Sequence, residues 1–85
     1  MGKRVIDTSA LRTAIATQIR IERAKRRWSQ DVLAERAELG RRTVQRLETE
    51  RIDLNIEHMN ALGKAFGMTW FQFLTLVNDV HGTAK

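Results

Sequence analysis

From position 11 onward, apolar residues recur at spacings of three and four, the period of helices with one buried face rather than the alternation of strands. The chain has no proline, and β-branched residues do not alternate along it, so helices punctuated by glycines and caps are expected throughout. Five are predicted. Leu11, Ile15 and Ile19 lie four apart and give a first helix, about Ser9 to Arg26, one core-facing stripe, with Thr8 or Ser9 as its N-cap. Trp28 follows as a large apolar anchor, and Ser29 caps a short second helix, Gln30 to Ala37, that turns Leu33 and Ala37 inward. Gly40 opens a third helix reaching to about Thr49, with Val44 and Leu47 on its inner side and Arg41, Arg42, Gln45 and Arg46 on its outer side. A fourth, about Ile56 to Phe66, aligns Met59, Leu62 and Phe66 and stops at Gly67, a residue free to take the left-handed conformation that ends a helix. Thr69 caps the fifth, Trp70 to about Asn78.

That fifth helix crowds Trp70, Phe71, Phe73, Leu74, Leu76 and Val77 together, more apolar surface than one core-facing stripe absorbs. Core closure takes part of it. The remainder is expected to form a two-fold contact with a second copy, with Phe73, Leu76, Val77 and Val80 as the outward set. The expected organisation is a flexible arm over residues 1–8, one folded domain over 9–80 that includes the dimerising helix, and a flexible tail over 81–85. Lys3 and Arg4 on the arm either reach a polyanion or belong to a loose end.

Length and composition narrow the chemistry. At 85 residues there is room for one modest core but not for a second lobe or a deep catalytic cleft. With no cysteine, neither a disulfide framework nor a thiolate metal site is available, and a cytoplasmic location is the default expectation. No apolar stretch approaches the ~20 residues of a membrane span. His58 and His81 lack the company of HExxH or cysteine, so no metal is expected, and His58 is read as an exposed helix residue. Gly63-Lys64 with Gly67 does not follow the order of a phosphate loop. No paired acid and base stands out, no cofactor or small-molecule ligand is evident, and an enzyme is not expected. The net charge of +5 is unevenly spread: residues 1–28 carry +6, residues 29–52 carry 0 and residues 53–85 carry −1. Such a basic front suits a polyanion, because neutralising phosphates releases condensed counterions; it is equally the signature of a solvated surface.

The stretch Gln30 to Thr49 (QDVLAERAELGRRTVQRLET) adds a more specific signal. Its spacing is that of a helix-turn-helix. Ala34 falls where the two helices cross and must be small, while Leu33, Ala37, Leu39, Val44 and Leu47 form the apolar wedge that fixes the angle. The outer face of the second helix of the pair is then a rigid rod of a width that fits the major groove, and Arg41, Arg42, Gln45 and Arg46 are placed to meet bases.

Through IRIERAKRRWSQDVLAERA, RRTVQRLE and LNIEHMNALGKAFGM, from about Ile15 to Leu74, the chain resembles the lambda-repressor-like, or Xre-type, helix-turn-helix regulators. The resemblance implies an all-α, compact five-helix fold and sequence-specific binding of double-stranded DNA by a homodimer. It implies that Gln30 binds a phosphate, that Arg41, Arg42 and Arg46 reach base edges with Gln45 as a further contact, and that Arg23 and Glu48 form a buried structural ion pair. Ser29, Thr43, Arg51 and Arg27 flank these as candidate phosphate contacts. For Arg20, Lys25, Arg26 and Arg27 the sequence does not separate phosphate binding from solubilising charge.

Three positions depart from the family pattern. Glu38 stands where glycine is common, and must either adopt a left-handed conformation at ~1 kcal/mol or bend the turn differently. Gly40 replaces a hydroxyl cap. Glu22 replaces an apolar residue and either faces solvent or pairs with Arg26 at i+4. The alternative function for this fold is a protein-interaction module such as an antitoxin, against which the shortness of the tails counts; salt- and sequence-dependent affinity distinguishes the regulator from it.

Overall fold

The computed structural model describes residues 8–51 and 55–81. They form five α-helices in the expected order: α1 (Thr8–Arg26), α2 (Gln30–Ala37), α3 (Arg41–Glu48), α4 (Ile56–Ala65) and α5 (Trp70–His81). Of the expected arm at 1–8, residues 1–7, with Lys3 and Arg4, lie outside the described residues, as do residues 82–85 of the expected tail at 81–85, whereas Thr8 and His81 belong to α1 and α5. α5 continues past Asn78, where the apolar pattern ends, because the polar residue His81 bonds back to α1.

Each helix buries the stripe its period predicts. Ile15 and Ile19 from α1, Leu33, Ala34 and Ala37 from α2, Val44 and Leu47 from α3, Met59 and Leu62 from α4, Phe66, and Phe73 and Val77 from α5 make one continuous core. α4 packs on α5, α2 crosses α3 and also touches α4, and α1 lies against both α3 and α5. Ala34 is buried at the α2–α3 crossing, as its small side chain requires. Gly63 of α4 has a similar reason for its size. A Cβ there would come within 2.9 Å of the Met68 carbonyl oxygen, so the glycine permits the α4–α5 turn to fold back onto α4.

Three helix starts are capped by side chains. Ser29 Oγ accepts from the Val32 N–H at 3.1 Å, and Asn55 Oδ1 accepts from the His58 N–H at 2.7 Å. Thr69 and Gln72 cap reciprocally: the Gln72 N–H donates to Thr69 Oγ1 at 3.0 Å and the Thr69 N–H donates to Gln72 Oε1 at 2.9 Å. The helix ends are more unusual. Gly67, at φ +80°, closes α4 in the expected way, with the Met68 N–H on the Gly63 carbonyl at 2.7 Å. Arg27, Glu38 and Glu50 do the same for α1, α2 and α3 at φ 59°, 58° and 62°, although none is glycine. Glu38 therefore takes the left-handed option, which lets the Leu39 N–H reach the Ala34 carbonyl at 2.9 Å.

Two expectations for α5 are corrected. Phe73 and Val77 do not face outward; they are buried, and the Phe73 ring lies 5.8 Å from that of Phe66. The helix turns this side to the core because 73 and 77 lie four apart on the line facing α4 and α1. Leu76 is half-buried and Val80 is exposed, while Trp70 and Phe71, outside the expected set, are the large exposed apolar residues at the start of the helix.

Glu22 is likewise not in solvent. It does pair with Arg26, at 2.6 Å, but is only 1% exposed. Its carboxylate also accepts from Gln18 at 2.7 Å and lies 3.3 Å from Lys25 Nζ. Because the Gln18 amide nitrogen is directed at that carboxylate, Gln18 Oε1 is left to accept from His81 Nε2 at 2.9 Å. Burial works to raise the Glu22 carboxyl, but the bonds from Arg26, Gln18 and Lys25 together outweigh it and hold the group below its ordinary value. His58, read as exposed, is half-buried, with its Nδ1 atom enclosed.

Candidate nucleic-acid interface

α3 is short, and an isolated eight-residue helix is unstable in water, so its orientation is set by what grips it. Val44 and Leu47 anchor its inner face in the core. Beside them the buried Glu48 carboxylate gathers three donors: Arg23 Nε at 2.7 Å, Arg23 Nη2 at 3.0 Å and Gln30 Nε2 at 2.9 Å. The remaining Arg23 nitrogen, Nη1, donates to the Trp28 carbonyl at 2.9 Å. Arg20 Nη1 donates to the Glu48 carbonyl at 2.8 Å, completing the last turn of the helix. One carboxylate thus ties α1, the start of α2 and the end of α3 together.

Several of the ambiguous basic residues have partners within the fold. Arg20 is occupied at the end of α3. Arg26 bonds Glu22 and the Phe66 carbonyl, the latter at 3.0 Å, and its guanidinium lies 4.9 Å from the Phe66 ring centroid, so it is part of the packing. Lys25 is drawn to Glu22. Arg36 covers the Trp28 ring at 4.8 Å. Arg27 and Arg51 are exposed at the ends of α1 and α3.

The outer face of α3 has a different character. Arg41, Arg42, Gln45 and Arg46 are all exposed. Among the described residues, Arg42 and Arg46 have no acidic partner, whereas Arg41 Nε lies 3.1 Å from Asp31 Oδ1 at the start of α2. The N-cap Gly40 offers no side chain to the first turn, which carries no acidic residue but does carry Arg41 and Arg42. The free N–H groups, the positive end of the helix dipole and two guanidiniums therefore coincide, and an anion placed there would be stabilised. Thr43 is half-buried on the same turn. Ser29 Oγ accepts the bond that caps α2 and keeps its O–H to donate, and Gln30 spends one amide N–H on Glu48, leaving a second N–H that can donate outward.

The helix-turn-helix family model matches residues 19–73, which is more than half of the chain and includes the whole α2–α3 unit. The chain belongs to the lambda-repressor-like, or Xre-type, helix-turn-helix family. As a member of it, the protein is a DNA-binding regulator, and such regulators are not typically enzymes. Among solved structures, a hypothetical transcription factor, NHTF, from Neisseria is similar to this family member at 27% identity. The similarity covers 87% of this chain and 85% of that one, with a TM-score of 0.71. No curated protein matches. Among the described residues no helix is long and apolar enough to cross a membrane.

What the sequence did not disclose in this helix-turn-helix protein is the second role of Gln30 as a partner of Glu48, and the chain from His81 through Gln18 to Glu22. A signal for the latter existed. Gln18 and Glu22 lie four apart beside Ile15 and Ile19, a placement that puts both polar groups at the edge of the buried stripe.

Proposed function

We propose that this regulator recognises one double-stranded DNA sequence as a homodimer, each copy laying α3 in the major groove, and that it represses or controls transcription from the operator so bound. The observation that carries the reading is the contrast between the two faces of α3. Its inner face is fixed by Val44, Leu47 and the Arg23–Glu48 pair, and its outer face presents Arg42, Gln45 and Arg46 with no acid among the described residues to occupy the guanidiniums. Rigid presentation matters because a base contact contributes to specificity only when its donor cannot relax onto the wrong base. Arg42 and Arg46 fit guanine edges and Gln45 fits adenine. Gln30, the free N–H groups of the α3 first turn, Thr43, Ser29, Arg27 and Arg51 surround them as phosphate contacts that set the register.

Selection from a randomised duplex pool, followed by titration of the selected sequence at two salt concentrations, tests this. The expected result is an inverted repeat with half-sites about 34–36 Å apart, or a multiple of that, bound at least ~1,000-fold tighter than random duplex. Affinity for both should fall steeply with salt. Salt-labile binding with no enriched motif would refute sequence recognition.

A further inference from the structure

Arg41 differs from the other arginines on the outer face of α3 in already being held by an acid. Its Nε lies 3.1 Å from Asp31 Oδ1, so the pair links the first turn of α2 to the first turn of α3. With both side chains about two-thirds exposed, at 65% and 69%, the pair adds little to stability. Its consequence is geometric. A guanidinium offers paired N–H donors along two edges, one made by Nε with an Nη and one made by the two Nη groups. Asp31 faces the Nε side. The edge left for a ligand carries two parallel donors, which match the O6 and N7 acceptors of guanine in the major groove.

We propose that Asp31 is a positioning residue for base recognition: it holds Arg41 by its Nε side and so directs the Nη pair to a guanine. This rests on the reading that α3 lies in the major groove. A carboxylate close to a phosphate backbone lowers attraction to every duplex alike. Asp31 is placed in the first turn of α2, where the helix dipole favours a negative charge, so its position does not depend on Arg41. When the duplex excludes water from around the pair, the attraction between carboxylate and guanidinium strengthens, and rotation of Arg41 toward a wrong base or a phosphate becomes more costly. Asp31 thus exchanges general affinity for choice of base.

The experiment is selection from the randomised duplex pool by the wild-type chain and by Asp31→Ala, Asp31→Asn and Arg41→Ala, with each protein then titrated on the wild-type motif, on the motif with the assigned guanine replaced, and on random duplex. Arg41→Ala should lose preference at one guanine in each half-site, which assigns that base. Asp31→Ala should lose roughly ten-fold of preference at the same guanine while binding random duplex more tightly than the wild type. Asp31→Asn keeps the shape but removes the charge of the ion pair, and should lose most of the same preference. Because both side chains are exposed and Asp31 contributes only its charge at the start of α2, thermal melts of the variants should stay within a few degrees of the wild type. Undiminished guanine preference in Asp31→Ala, or no position lost in Arg41→Ala, overturns the assignment while leaving operator recognition intact. Absence of any motif in the wild-type selection overturns the groove reading itself, and this proposal with it.

Discussion

At Glu48 a buried carboxylate is satisfied by Arg23 and Gln30 while its own backbone carbonyl takes Arg20, so that a single residue joins three helices. Removing the carboxylate leaves a part-buried guanidinium without its counter-charge, a change that costs about 3–5 kcal/mol. Glu48→Ala is therefore expected to lower the melting temperature by more than 10 °C in a calorimetric scan, on the usual 4–8 °C per kcal/mol for a domain of this size. An unchanged melt would show that the pair is not buried in solution. Glu22 makes a different prediction, about pH. Its carboxyl is held below its ordinary value, so the stability it contributes is complete above the unfolded value of about 4.3 and is lost as pH falls through the lower folded value. Glu22→Gln cannot ionise and should melt at a lower temperature than the wild type at neutral pH, with the gap narrowing in acid below about pH 4. A gap that stays constant from neutral to acid pH would remove Glu22 from the acid response. The two glutamates were unequally legible in the sequence. Arg23 and Glu48 stand at positions the family resemblance identifies as a buried pair, whereas a lone glutamate on α1 reads as a surface residue until Gln18 and His81, 63 residues apart, are seen to meet beside it.

The helices themselves followed from period and caps, because their apolar stripes arise from contacts local in sequence; their ends did not follow so readily. Gly67 announces a left-handed stop, but Arg27 and Glu50 adopt the same conformation with side chains that give no such sign. At these ends the closing N–H···O bonds, such as Trp28 to Arg23 at 2.9 Å and Arg51 to Arg46 at 2.8 Å, compensate the strain. α5 shows the other limit of local reading: composition revealed that the helix had apolar surface to spare, but which residues were spare depended on how it rolls against α4 and α1. Glu38 offers a direct test of strain at a helix end. It is exposed, so replacing it by glycine removes no packing while relieving the left-handed penalty of ~1 kcal/mol, against a smaller entropic cost in the unfolded chain. Glu38→Gly should raise stability by about 0.5 kcal/mol in denaturant unfolding. Glu35→Gly, an equally exposed change inside α2, should lower it by about 1 kcal/mol. Loss of stability in both would mean that the Glu38 side chain makes an interaction outweighing its strain.

For the molecule as a whole, the unresolved surface is on α5, and it bears directly on the proposed dimer. Phe71 and Val80 are 62% and 53% exposed, yet at 3.6 residues per turn their spacing sets them on opposite flanks of the helix, so one flat two-fold contact cannot use both. Trp70 lies beside Phe71, with their rings edge to face at 5.6 Å, whereas Val80 has only the half-buried Leu76 four positions before it. The aromatic flank offers the larger apolar area and is where the proposed two-fold contact belongs. Phe71→Glu leaves the core residues Phe73 and Val77 untouched while placing like charges face to face across the two-fold axis, so it should sediment as a folded monomer with an unchanged helical spectrum. The same variant should lose the cooperative binding of paired half-sites and bind a full operator little better than a half-site, because the second contact is no longer linked to the first. Val80→Glu should remain dimeric and keep operator affinity. The reverse pattern would move the interface to the Leu76–Val80 flank. Two dimeric variants would exclude α5 as the dimer surface, and the half-site spacing in the operator would then have to be set by another face of the bundle.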